Sequence, residues 1–311
     1  MAEDRLRAAG PAPAAPRGAL ARGQRHRGSY LDALRQGLRE LGYVEGQTII
    51  AEHRFPNEEP ERFRAMAAEL VALKPDLLLA AGASAARAAK AATTTVPIVF
   101  IVVPDPVAAG LVQSLAHPGG NVTGLTNFAV QLCAKRLEYL KEAIPSVSRV
   151  GLLVNPNVDI TRRYIEESEA AAAQLRLTLQ LVEVRTLGDL ERAFDTMVKS
   201  RLQAAVLAPD GLFFQARAVI PKLALARRVP ICAYSRETFE PGSLMSYGPD
   251  HLTIFRRAAI YADKVLKGMK PTALPVEQPT RFELLVNLKT ARALGLTLPQ
   301  SLLLRAHEAV E

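Results

Sequence analysis

Leu77-Leu78-Leu79-Ala80-Ala81-Gly82-Ala83-Ser84-Ala85-Ala86 reads as a strand, a tight turn and the start of a helix. The first five positions are apolar without alternation, which suits a strand covered by helices on both faces. Gly82 lets the backbone turn sharply, and the small residues after it leave helix N–H groups open to an approaching anion. Further on, Ile98-Val99-Phe100-Ile101-Val102 is a second unbroken apolar run. From Tyr30 onward such β-branched runs alternate with longer helical patterns, the signature of βαβ units around a parallel sheet.

Strands are expected at Thr48–Glu52, Asp76–Ala81, Ile98–Val102, Val122–Thr126, Val150–Asn155, Thr178–Val184, Ala204–Ala208, Pro230–Tyr234 and Leu244–Tyr247. Helices are expected near 30–42, 60–73, 84–92, 131–143, 160–175, 189–200, 212–228 and 251–267. A doubly wound domain holds roughly 100–150 residues, so these strands belong in two sheets, with a break near His117-Pro118-Gly119-Gly120.

The 311-residue chain is 49% hydrophobic, enough for two cores. Its formal charge is +8, from 39 basic and 31 acidic side chains, but residues 1–28 hold six Arg against two acids and so carry +4 of it. The other +4 is spread along the chain with no run that would track a phosphate backbone, so no nucleic-acid partner is expected. Residues 1–28 also contain eight Ala, four Gly and three Pro, with Leu6 and Leu20 almost the only large apolar side chains. Disorder is expected there, because such a segment does not offset its ordering entropy. Pro11, Pro13, Pro16, Arg17 and Arg22 interrupt every candidate signal-peptide core. No window reaches the roughly 18 apolar residues of a spanning helix. Cys133 and Cys232 stand apart from each other and from any His cluster, which favours buried small hydrophobes over a metal site or disulfide.

In doubly wound folds ligands sit beyond the carboxyl ends of the strands. The candidates on that ground are Ser84, Asp105, Thr126, Asn127, Asn155, Asn157, Asp210, Tyr234 and Tyr247, with Gly82, Ala83 and Ala85 beside Ser84. Asp, Asn and Ser also cap helices and make turns wherever they occur. In Pro104-Asp105-Pro106 two prolines fix the backbone around one carboxylate, which could accept from an amine or hydroxyl or simply cap the next helix. The Asn155-Pro156-Asn157 turn is its counterpart later in the chain, and Tyr234 and Tyr247 could stack on a ligand. Gly82-Ala83-Ser84-Ala85-Ala86 approaches the hydrolase pattern Gly-x-Ser-x-Gly but ends in Ala86, and His117, His251 and His307 show no orienting partner. Neither phosphate-loop nor dinucleotide fingerprints occur, so no nucleotide cofactor is expected, and no metal.

Three segments carry a resemblance: Leu34–Gln47 (LRQGLRELGYVEGQ), Pro97–Gly124 (PIVFIVVPDPVAAGLVQSLAHPGGNVTG) and Pro275–Gly295 (PVEQPTRFELLVNLKTARALG). From about Tyr30 to Glu311 the chain resembles the bacterial ABC-transporter substrate-binding proteins of the family that includes aromatic amino-acid binders. The resemblance implies an α/β fold of two Rossmann-like lobes, the type I periplasmic-binding-protein or Venus-flytrap architecture. One lobe would be 29–125 with 247–278, and the other 126–246 with 279–311. It further implies solute capture without catalysis, with a ligand carboxylate on Gly82–Ala85 and with Asp105, Asn127, Asn155, Asp210 and Tyr234 closing around the rest. The partners implied are a small polar ligand, such as an amino acid or other carboxylate, and ABC permease subunits. A monomer at a periplasmic or membrane-associated extracytoplasmic location is expected.

The departure lies at the N-terminus. Members begin with a signal peptide and then a first strand reading roughly basic, Ile, Gly, Val, Leu, and residues 1–28 resemble neither. Their Arg, Ala, Pro and Gly mixture resembles a GC-rich gene read from another start or frame, so lobe 1 is expected to have its first strand missing or replaced. Two other functions stand beside solute capture. A ligand-sensing regulator shares the fold but carries a helix-turn-helix, which residues 1–28 do not resemble, and a hydrolase would use Ser84 as nucleophile.

Overall fold

The computed structural model describes residues 3–8, 25–55 and 60–311. In chain order the elements are β1 (Glu3–Ala8), α1 (Arg25–Glu40), β2 (Ile49–Arg54), α2 (Pro60–Ala72), β3 (Leu77–Ala81), α3 (Ala83–Ala92), β4 (Ile98–Val103) and β5 (Val122–Thr126). Next come α4 (Leu132–Ala143), β6 (Arg149–Val154), α5 (Thr161–Gln174), β7 (Thr178–Glu183), α6 (Leu190–Lys199), β8 (Ala204–Leu207), α7 (Gly211–Gln215), α8 (Ile220–Ala226), β9 (Ile231–Ala233), α9 (Arg236–Phe239) and β10 (Met245–Pro249). The chain closes with α10 (His251–Leu266), β11 (Phe282–Asn287), α11 (Leu288–Leu294), α12 (Gln300–Arg305) and β12 (Glu308–Val310).

These elements form two compact units, one running up to Phe128 and resuming at His251–Pro279, the other built from Ala129–Asp250 and Thr280–Glu311. Thr126 and Asn127, expected with the second lobe, therefore lie in the first unit.

The first unit holds a five-stranded sheet ordered β2-β1-β3-β4-β5, with β3, β4 and β5 parallel. Leu78, Ala80, Ile98, Phe100 and Val122 join Phe63, Leu70 and Ala89 of α2 and α3 in one apolar cluster. Leu77, Leu79, Val99 and Ile101, between them in sequence and so on the opposite sheet face, are equally buried. That is why these strands read as unbroken apolar runs. Helices α1 and α10 pack closely, since a Cβ on Gly37 would lie 2.5 Å from the Arg256 carbonyl oxygen and 2.9 Å from Ala259 Cβ. Tyr30 stacks on Phe255 at 4.7 Å, and the Tyr43 hydroxyl donates to Asp263 at 2.9 Å.

The second unit holds a seven-stranded sheet ordered β12-β11-β10-β9-β8-β6-β7, parallel except where β10 meets β11. Val150, Leu152, Val154, Val206 and Cys232 face one cluster, while Leu153, Leu207, Ile231 and Ala233 face another. Both sheet faces are thus covered here as well.

Residues 1–28 correct one expectation. Disorder was expected throughout, yet Glu3–Ala8 is β1, inserted between β2 and β3 and antiparallel to both, with Leu6 opposite Ala51 and Leu77. Residues 25–28 begin α1, and the remainder, 1–2 and 9–24, lies outside the described residues. The physical reason is that β2 and β3 would otherwise face each other across a slot lined by unpaired backbone groups, and backbone pairing does not depend on apolar side chains. Glu3-Asp4-Arg5-Leu6-Arg7-Ala8 thus supplies a strand in the unit whose first strand was expected to be missing or replaced. Elsewhere the helix expected over 212–228 divides into α7 and α8, because Pro221 lacks an N–H and is accommodated only in a first turn. Strands β11 and β12 and helices α11 and α12 were not among the expected elements.

Candidate functional site

Adjacency in the first sheet gathers the turns after β3, β4 and β5 along one edge. After β3, Gly82 takes φ 89° and ψ 163°, and no side chain caps α3. The Gly82 N–H donates to the Ile101 carbonyl at 2.9 Å, fixing the turn to β4, and its own carbonyl accepts from Ala86 N at 3.1 Å. The N–H groups of Ala83, Ser84 and Ala85 belong to the first helical turn, where no intrahelical acceptor exists. Ala85 is buried, while Ala83 and Ser84 are half-buried.

After β4, the Asp105 carboxylate accepts from Ala108 N at 2.9 Å and its carbonyl from Ala109 N at 3.0 Å. It organises a turn rather than the helix expected from Val107, and it remains half-buried. At the end of β5, the buried Thr126 hydroxyl donates to the Pro104 carbonyl at 3.3 Å and accepts from Phe128 N at 3.1 Å. Asn127 N donates to the Val103 carbonyl at 3.4 Å. Its side-chain Oδ1 is buried without a hydrogen-bond partner.

In the second unit the strand-end residues satisfy one another. Asn155 Nδ2 donates to Asp210 Oδ1 at 3.1 Å, and that oxygen also caps α7 by accepting from Leu212 N at 2.8 Å. The Tyr234 hydroxyl donates to the Asp210 carbonyl at 2.9 Å. Asn155 further accepts Asn157 N at 3.1 Å on its side chain and Thr161 Oγ1 at 2.5 Å on its backbone. Burial pushes the Tyr234 phenol well above its ordinary range, helped by the negative charge of Asp210 and Glu237, so it stays a donor. Tyr247 sits differently, with its ring 4.9 Å from Tyr139 and 6.2 Å from Phe282. Its carbonyl accepts from Arg136 Nε at 2.8 Å.

Arg136 and Tyr164 escaped the sequence reading. The Arg136 guanidinium, 1% exposed, also donates to the Ala129 carbonyl at 3.3 Å. The Tyr164 hydroxyl is buried with no partner, and burial raises its pKa well above the ordinary phenol. A helical Arg among apolar neighbours gives no sign in sequence that it turns inward. Cys133 and Cys232 are free and buried, and burial pushes the Cys232 thiol up to about 12, leaving it an inert hydrophobe. Among the described residues no group of three or more His, Cys, Asp or Glu could hold a metal, and no hydrogen bond joins Ser84 to a histidine. Among the same residues no helix is long and apolar enough to cross a membrane.

Residues 26–310 match the family described as ABC transporter substrate binding protein. The chain belongs to that family. It is the solute-binding protein of an ABC transporter, from a family that binds without catalysing, is extracytoplasmic and has the two-lobe type I periplasmic-binding-protein fold. This binding protein is 26% identical over 270 residues to a tyrosine-binding protein of Clostridioides difficile, covering 86% of this chain and 77% of that one. A conserved domain protein from Vibrio cholerae matches its structure with a TM-score of 0.85 at 29% identity, over 90% of this chain and 95% of the other. The ABC domain from Streptococcus pneumonia in complex with L-Trp matches with a TM-score of 0.81 at 26% identity, over 91% and 96%.

Proposed function

We propose that this binding protein captures an aromatic α-amino acid and that its first unit takes the two charged groups of that ligand. The observation that carries the reading is the adjacency of β3, β4 and β5, which sets helix N–H donors beside oxygen acceptors along one sheet edge. The α-carboxylate docks on Gly82, Ala83, Ser84 and Ala85, where unpaired first-turn N–H groups and the positive end of the α3 dipole favour an anion. Asp105, Thr126 and Asn127 form the neighbouring acceptor side for the ammonium group. The relatives named for tyrosine binding and solved with L-Trp have ligands carrying both groups. In the second unit Asn155, Asp210, Tyr234 and Tyr247 are the candidate ligand contacts, at or just beyond strand ends of its own sheet. The loaded protein, a periplasmic or membrane-associated monomer, delivers its ligand to permease subunits.

Calorimetric titration with L-tryptophan, L-tyrosine and L-tryptophanamide tests the reading. Each charge-assisted hydrogen bond to a carboxylate is worth about 1.5–3 kcal/mol, so the amide should bind at least about ten-fold more weakly. A ligand at about 100 times its Kd should also stabilise the protein by about 2.7 kcal/mol in a thermal melt. L-Tryptophanamide binding as tightly as L-tryptophan would remove the carboxylate from the Gly82–Ala85 turn.

A further inference from the structure

Strands β4 and β5 end side by side, and each end holds a non-glycine residue in the left-handed backbone region: Val102 at φ 55° and Phe128 at φ 57°. For a β-branched residue this conformation is an outlier, because its Cβ crowds the following carbonyl oxygen. Val102 is the extra residue of a β-bulge. Ile101 pairs with Leu125 and Val103 with Thr126, so β4 spends two steps where β5 spends one. A bulge bends its strand and re-aims the residues after it, here Val103-Pro104-Asp105. The re-aimed segment is then bolted to β5 by Thr126 Oγ1 on the Pro104 carbonyl and by Asn127 N on the Val103 carbonyl. A glycine at position 102 would adopt the same backbone without crowding, so valine holds this conformation against a local backbone cost that burial of its isopropyl group offsets. A separate observation marks the same rim, the buried Asn127 Oδ1 with no donor. It is an acceptor on the segment that follows β5, as the half-buried Asp105 carboxylate is on the segment that follows the adjacent β4.

We propose that Val102 is a positioning residue whose strained bulge holds Asp105 and Asn127 as a preformed acceptor rim for the ligand's ammonium group. Strain of this kind persists where the surroundings over-determine it, and its use is preorganisation. Valine supports the bulge in one conformation, whereas glycine would let the Val103–Asp105 segment sample others. The proposal rests on the reading of the ligand as an α-amino acid.

The test compares Val102→Ala with Val102→Gly, which both remove the buried isopropyl group and differ only in the Cβ that the left-handed conformation penalises. Thermal melts of the ligand-free proteins should place the glycine variant a few degrees above the alanine variant, despite its smaller side chain. Titration with L-tryptophan and with indole-3-propionate, which lacks the ammonium group, should show the reverse order for function. The selectivity for L-tryptophan over the analogue should fall about ten-fold from the alanine to the glycine variant, the loss of about one well-placed charge-assisted bond. An alanine variant more stable than the glycine variant overturns the strain, and an unchanged selectivity ratio overturns the positioning role. Equal losses for both ligands also overturn it, because a merely structural residue would act on both. If the wild-type protein binds neither L-tryptophan nor L-tyrosine, the ligand reading fails and the ammonium assignment with it, while the stability order still reports on the bulge.

Discussion

Replacing Asp210 by alanine isolates the hydrogen-bonded wall of the second unit. Its Oδ1 serves two donors, Leu212 N at 2.8 Å and Asn155 Nδ2 at 3.1 Å. Losing the first uncaps α7, which costs about 1 kcal/mol. Losing the second strands an amide whose residue is only 9% exposed, and a buried donor without an acceptor costs about 1–3 kcal/mol. The two losses fall on different donors, so Asp210→Ala should destabilise the protein by about 2–4 kcal/mol. At roughly 2–4 °C per kcal/mol for a unit of this size, the melting temperature should drop by roughly 5–15 °C. Tyr234 keeps its acceptor throughout, since it bonds the backbone carbonyl of residue 210. Asp210→Asn retains one acceptor oxygen and should recover at least half of the loss. Scanning calorimetry on ligand-free protein measures both variants. An Asp210→Ala protein within about 0.5 kcal/mol of wild type would mean that Asn155 finds another acceptor, and the account of a self-satisfied wall would be abandoned.

Three further outcomes are expected. Ser84→Ala should weaken L-tryptophan binding by only about 0.5–1.5 kcal/mol, because the backbone donors remain, whereas Ser84→Asp sets a like charge against the carboxylate and should cost far more; unchanged affinity in a folded Ser84→Asp protein would move the carboxylate elsewhere. Tyr164→Phe removes a buried hydroxyl that has no partner, so its melting temperature should equal or exceed that of wild type, and a drop would reveal a partner for that hydroxyl. The Glu45 carboxyl is lowered from 4.5 to about 2, first by the His53 hydrogen bond and then by that of Arg35. A depressed carboxyl contributes stability above its unfolded value and loses it as pH falls from about 4.5 towards about 2. Denaturant melts across that window should therefore show wild type losing more stability than Glu45→Gln, and parallel curves would show that the ion pair is not felt in the folded state.

Much of the fold was legible because its strands are buried on both faces. Leu77–Ala81 and Ile98–Val102 announce themselves as apolar runs, and the parallel topology follows from the helical patterns between them. Strand β11 was missed because Phe282-Glu283-Leu284-Leu285-Val286-Asn287 carries a charge inside its run and begins straight after a charged, proline-containing segment, so neither periodicity nor length singled it out. The candidate residues after β3, β4 and β5 were named from their position at strand ends, but their roles were not readable. Asp105 could be seen as cap or ligand contact, and only the Ala108 N–H shows that it organises a turn while remaining half-buried. Arg136 illustrates the limit, since helical spacing says which residues share a face but not that a guanidinium will be buried on carbonyls from residues 129 and 247.

By itself the sequence determined the class of fold, the positions of the strand-end turns and the family, because these depend on local periodicity, on backbone freedom at Gly82 and on runs of residues close together in the chain. The tertiary structure alone decided which turns become neighbours, that Asn155, Asp210 and Tyr234 satisfy one another, that β4 bulges at Val102 and that Glu3–Ala8 completes a sheet. Each of these is a long-range pairing of backbone or buried polar groups, and whether such a group finds its partner is settled by the packing of distant segments and is written in no stretch of sequence on its own.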